Sequence, residues 1–126
     1  MNSVPMLVVI DDDLAVLASL MFSFELEGFE VAAFDSAETL LAQANVKNPD
    51  CLVIDYRLPG IDGLKLLRRL RERGVACPAV IITSNPTRSV RQRTNDAGAM
   101  LIEKPLLSDG LYVAIRRLIG RPNSQF

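Results

Sequence analysis

The stretch "VVIDDD", residues 8–13, decides how this chain is read. An apolar run reaching Ile10 stops at three consecutive carboxylates, Asp11, Asp12 and Asp13. Like charges crowded at the tip of a buried strand repel, and partial burial strengthens the repulsion. A positive partner must therefore come from elsewhere in the chain. Working outward, short apolar runs recur: "MLVVI" (6–10), "FEVAAF" (29–34), "CLVID" (51–55), "AVIIT" (79–83) and "AMLIE" (99–103). Several are nearly continuous in Val, Ile and Leu, as expected of parallel strands covered on both faces.

Helix signals fill the intervals. Residues 14–27 follow the acids. Ser36 suits the cap of a helix over 37–45, with Glu38 in its first turn. Asp62 suits the cap of a helix over 63–73, where Leu64, Leu67 and Leu70 recur and Gly74 stops the run. Pro86 fits the first turn of a helix over 86–97 ended by Gly98. A last helix spans 107–119 and ends at Gly120. Five βα units in series predict a doubly wound α/β fold, a parallel sheet with helices on both faces.

The 126 residues suit one domain, 1–126, with its core over 6–119 and a tail or linker start over 120–126, "GRPNSQF". A net charge of −1 supplies no global field toward nucleic acid or an anionic membrane. The apolar stretch "LAVLASLMFSFEL" is too short to span a bilayer, and the start "MNSVP" has no basic region of a leader. The expectation is a cytoplasmic protein with no membrane partner and no direct nucleic acid binding. Cys51 and Cys77 read as reduced thiols in apolar surroundings. The absence of histidine removes His-based zinc sites, Ser–His triads and a phosphohistidine within the chain.

In open α/β sheets, sites gather at the carboxyl ends of the strands. Those ends carry Asp11, Asp12 and Asp13; Asp35 and Ser36; Asp55; Thr83 and Ser84; and Lys104. Taken singly, each has a plainer origin, since acids after a strand also suit a helix N-terminus. Together they describe a hard-oxygen site preferring Mg²⁺, with a hydroxyl and an ammonium to receive a phosphoryl group.

With "VVIDDD", "VIDYRLPGIDG", "VIITS" and "IEKPL" in this order, the chain resembles the receiver domain of bacterial two-component response regulators over about residues 6–119. "IEKP" and "GFEVAAFDSAETLL" are similar to the subgroup containing the nitrogen-fixation regulators. The resemblance implies a flavodoxin-like (βα)5 sheet in strand order 2-1-3-4-5. It implies Asp55 as phosphoacceptor, and Mg²⁺ held by Asp11, Asp12, Asp55 and the backbone carbonyl of Arg57. It implies Thr83 and Lys104 as partners of the phosphoryl oxygens, a cis Lys104–Pro105 bond, and a loop shaped by Pro59, Gly60 and Gly63. The implied donor is the phosphohistidine of a sensor histidine kinase or phosphotransfer protein. The chain would then be a signalling switch or phosphate sink rather than an enzyme, catalysing only its own phosphorylation and dephosphorylation.

The sequence departs from that pattern in places. Arg57 overhangs the site, and Arg57 and Asn85 occupy positions that tune phosphoryl loss in the family. Leu101 stands where many receivers carry Tyr or Phe, so the ring of the usual threonine–aromatic coupling is missing. In the first helix, Val16, Leu20 and Phe24 are expected to face the sheet. Leu14, Leu17, Ala18 and Met21 would then form an apolar partner surface. Arg88, Arg91 and Arg93, with Arg116 and Arg117, make a basic face over the fourth helix, fifth strand and fifth helix. That face suits a homodimer in which Glu103 or Asp96 pairs across copies, or equally an acidic partner. Rival readings are a receiver fragment of a longer DNA-binding regulator and a Mg-dependent phosphatase with an aspartate nucleophile. A flavin module is a third, but three aspartates would repel its phosphate.

Overall fold

The computed structural model describes residues 4–43, 48–106 and 110–120. Five strands, β1 (Met6–Ile10), β2 (Glu30–Phe34), β3 (Cys51–Asp55), β4 (Ala79–Thr83) and β5 (Met100–Glu103), alternate with five helices. These are α1 (Leu14–Leu26), α2 (Ala37–Leu41), α3 (Gly63–Glu72), α4 (Arg88–Asp96) and α5 (Gly110–Ile119). The sheet runs β2-β1-β3-β4-β5 with every neighbouring pair parallel. Chain order reverses between β1 and β3, so the carboxyl ends of these two strands border a crevice.

Alternation along the strands sorts the core into two layers. Val8, Ile10, Leu52 and Ile54 pack with Leu40 of α2 and Leu64, Leu67 and Leu70 of α3. Leu7, Val9, Val53 and Ile82 pack with Leu20 and Phe24 of α1 and Leu111 and Ile115 of α5. β1, β3 and β4 are covered on both faces, which explains their unbroken apolar composition. No helix among the described residues is long and apolar enough to cross a membrane. Both cysteines are free thiols; burial, reinforced by Cys77 nearby, pushes Cys51 up to about 12.

The helix starts follow cap chemistry. Asp13, Ser36 and Asp62 accept backbone N–H groups of the first turns of α1, α2 and α3. α4 begins later than Pro86 suggested. Asn85 turns the chain with φ 46°, and Thr87 then caps the helix by accepting from Val90 N at 3.1 Å. The predicted last residues of the second helix, 44–45, the first residues of the fifth, 107–109, and the tail from 121 onward lie outside the described residues.

One surface expectation needs correction, and the acids of the basic face have partners within the chain. In α1 the face turned to the sheet carries Leu17, Leu20 and Phe24, so Leu17 belongs to the core rather than to a partner surface. Val16 and Met21 are half-buried, Ala18 is exposed, and the exposed large apolar side chains of α1 are Leu14 (65%), Phe22 (66%) and Leu26 (71%). An almost wholly apolar helix has periodicity but no polar face to set its phase, and the docking of the whole helix sets it instead. On the basic side, Arg91 pairs with Glu103 at 3.1 Å and Gln92 holds Asp96 at 2.9 Å, so both acids assigned to a second copy are engaged within the chain. Arg116 lies 4.5 Å above the Phe29 ring and donates to the Tyr112 hydroxyl at 3.1 Å, which makes it part of the packing under α5.

Candidate functional site

The three opening acids divide their work. Asp13 accepts from the N–H groups of Ala15 (3.0 Å) and Val16 (3.2 Å) and caps α1. Asp11 is fully buried and accepts the Asp13 N–H at 2.9 Å through Oδ1. Asp12 is exposed. Asp55 ends β3 almost completely buried, because β1 and β4 flank it and α3 closes over the strand end. Gly63 makes that closure possible: a Cβ there would sit 2.5 Å from the Asp55 carbonyl oxygen. Gly60, with φ 86°, turns the loop that leads into α3.

Lys104 supplies the positive charge that the first strand called for. Its Nζ lies 3.2 Å from Asp11 Oδ2 and 3.5 Å from Asp55 Oδ1. Its backbone N–H donates to Thr83 O at 2.8 Å, which ties the end of β5 to the end of β4, and the Lys104–Pro105 peptide is cis. One ammonium does not neutralise two buried carboxylates. Burial, and then the charge of Asp11, push Asp55 up to about 6 against the opposing pull of Lys104 and the Arg57 backbone N–H. Burial works against the charge on Lys104, yet Asp55 and Asp11 together raise it above the ordinary lysine value.

Asp11, Asp12 and Asp55 each offer a carboxylate oxygen, all within 4.8 Å of one another. This donor set is entirely hard oxygen with excess negative charge, which fits a small divalent cation such as Mg²⁺. Thr83 is buried, one position beyond the register partner of Asp55, and its hydroxyl makes only a long 3.4 Å bond to Ser84 O. Asp35 and Ser36 stand apart: Asp35 is exposed and Ser36 is spent on the cap of α2. The side chain of Arg57 is exposed. Leu101 is half-buried against the core, paired in register with Ile81.

Sequence reasoning missed one element beside this pocket. Arg93 of α4 reaches the hydroxyl of Tyr56, which follows Asp55, at 3.2 Å and the carboxylate of Asp62 at 3.4 Å. These contacts join residues 37 and 31 positions apart, and no local pattern announces them.

A family model described as the response regulator receiver domain matches residues 7–116. The transcriptional regulatory protein FixJ of Azorhizobium caulinodans is 35% identical over 118 residues, covering 93% of this chain and 56% of that protein. The response regulator MprA of Mycobacterium avium is 37% identical over 117 residues, covering 91% and 51%. The chain thus spans about half the length of these curated relatives. Among solved structures, a response regulator from Chloroflexus aurantiacus superposes with TM-score 0.84 at 30% identity, covering 94% of this chain and all of that one. A CheY-like receiver domain from Methanospirillum hungatei gives 0.85 at 25% identity, covering 93% and 94%.

Proposed function

Because the chain belongs to the response regulator receiver domain family of two-component signalling, we propose that Asp55 is its phosphoacceptor and that its donor is a phosphohistidine on a partner kinase or phosphotransfer protein. The observation that carries this reading is the burial of Asp55 and Asp11 around one shared ammonium, with Asp12 at the rim.

An Asp55 carboxylate oxygen attacks the phosphorus; the P–O bond forms as the P–N bond breaks, and the electron pair leaves with the imidazole nitrogen. Lys104 pairs with the phosphoryl oxygens as charge accumulates there, and the Thr83 hydroxyl, weakly held at present, turns to donate to one of them. Asp11, Asp12 and Asp55, with the Arg57 backbone carbonyl, would hold Mg²⁺, which when bound supplies charge neutralisation between the carboxylates and the incoming phosphoryl group. Arg57, exposed and two residues beyond Asp55, would control access of water to the acyl phosphate. Leu101 has no ring to rotate, so a response of Thr83 does not run through an aromatic side chain at that position. Leu14, Phe22 and Leu26 are the apolar side chains of α1 available to a partner helix, in place of Leu17.

Intact mass after incubation with acetyl phosphate and Mg²⁺ tests the central reading. One added phosphoryl group is expected on the wild type and none on Asp55→Asn; labelling of the variant would overturn it. A second reading, supported by relatives about twice as long, is that the domain controls an attached DNA-binding segment in a cytoplasmic regulator.

A further inference from the structure

We infer that the groove between α3 and α4 is a docking site for an acidic, partly apolar segment of a partner protein. Charge is divided unevenly along the chain. Ten of the 15 acidic residues precede Arg57, whereas 13 of the 14 basic residues lie at or after it. The strand order sends β2 and β1 to one side of the sheet and β4 and β5 to the other, so much of this division becomes a division in space, with Lys104 and Arg116 returning to the β1 side. The net charge of −1 therefore conceals a basic side, and α3 and α4 carry most of it.

A cavity of about 380 Å³ lies between these helices, with Leu64, Leu67 and Ala97 beside the guanidinium groups of Arg68, Arg71 and Arg93. Two of the arginines are held in place. Arg71 donates to the carbonyls of Val75 (3.1 Å) and Cys77 (2.5 Å), neutral acceptors that leave its charge uncompensated. Arg93 is fixed by Tyr56 and Asp62. The side chains of Arg68 and neighbouring Lys65 have no partner among the described residues, and the one acid at the groove, Asp96, is engaged by Gln92. Guanidinium groups already ordered lose less freedom when they meet a carboxylate, and their planar forks suit it.

Charge complementarity calls for an anionic occupant, and the apolar lining narrows its class. Apolar side chains of the segment would cover Leu64, Leu67 and Ala97 while flanking carboxylates meet the arginines. Nucleic acid is the less suitable polyanion, because among the described residues no aromatic face lines the groove for a base to stack on. The groove shares no lining residue with the carboxylates of the acidic pocket, so the inference does not rest on Asp55 being the phosphoacceptor.

The test uses the intact chain and a short fluorescein-labelled peptide of repeated Glu-Glu-Leu, followed by anisotropy at low ionic strength and by amide chemical shifts. Saturable binding is expected, with shift changes centred on α3 and α4. Binding should weaken by about tenfold or more in Arg68→Glu and in Ala97→Glu, both at solvent-exposed positions. Circular dichroism establishes that each variant remains folded, and either one alone suffices. The inference is overturned by absence of saturation, by equal binding of a Lys-Lys-Leu peptide or by an oligothymidylate binding as tightly. Shifts centred on α1, or full affinity in a folded variant, overturn it as well.

Discussion

The Lys104 ammonium lies 3.2 Å from the Asp11 carboxylate, a contact between residues 93 positions apart that joins the first strand to the last. It is the answer to three acids in a row. Asp11 is fully buried, and charge at that depth persists only with a partner.

Removing that partner has a definite sign. Lys104→Met leaves two buried carboxylates facing each other, so in metal-free buffer at neutral pH it should lower stability by about 2 kcal/mol, the partial exposure of Lys104 keeping the loss below that of a fully buried pair. Added Mg²⁺ should stabilise the variant more than the wild type, because the competing ammonium is gone. Urea unfolding with and without Mg²⁺ checks both.

Asp55 opposes folding at neutral pH. Its carboxyl is held at about 6 in the folded chain and at 3.8 ordinarily, so the folded state binds the proton more tightly. The contribution of Asp55 to stability therefore falls as pH rises from about 4 to about 6, and levels off above. Asp55→Asn should be more stable than the wild type by about 1–3 kcal/mol at pH 8 without metal. The gap should close below pH 4 and narrow when Mg²⁺ is added, as paired unfolding curves across pH would show.

Gly63→Ala forces a methyl group to 2.5 Å from the Asp55 carbonyl oxygen, a backbone atom that cannot swing away. A loss of about 1–3 kcal/mol is expected, together with weaker Mg²⁺ uptake as the end of β3 shifts. Gly60→Ala meets no neighbouring atom and suffers only from its φ of 86°. Its loss should be about 1–2 kcal/mol, with Mg²⁺ uptake less affected. Denaturant midpoints and calorimetric Mg²⁺ titrations separate the two glycines.

Leu17→Lys and Phe22→Lys should behave as opposites although both lie in one apolar helix. The first buries an ammonium under α1 and should cost about 3 kcal/mol or more; the second replaces an exposed ring and should stay within about 0.5 kcal/mol. Thermal unfolding distinguishes them, and equal losses would show that α1 docks in another phase.

The sequence by itself determined the order of strands and helices, the caps at Ser36 and Asp62, and the residues assembled at the strand ends. Those features are local: a run of Val and Ile, a carboxylate before a helix, a glycine after one. Even the roles proposed for Asp11, Asp12, Asp55, Thr83 and Lys104 rest on short motifs at set spacing. Tertiary structure alone decided which face of α1 is buried, since an apolar helix has no polar stripe to orient it. It also decided that Asp13 caps while Asp11 sinks beneath Lys104, and that Arg91, Arg93 and Arg116 are occupied within the chain. Three identical carboxylates differ only in what surrounds them, and an arginine reaches partners that lie far away along the chain. Burial and charge pairing are properties of the packed molecule, and no local pattern encodes them.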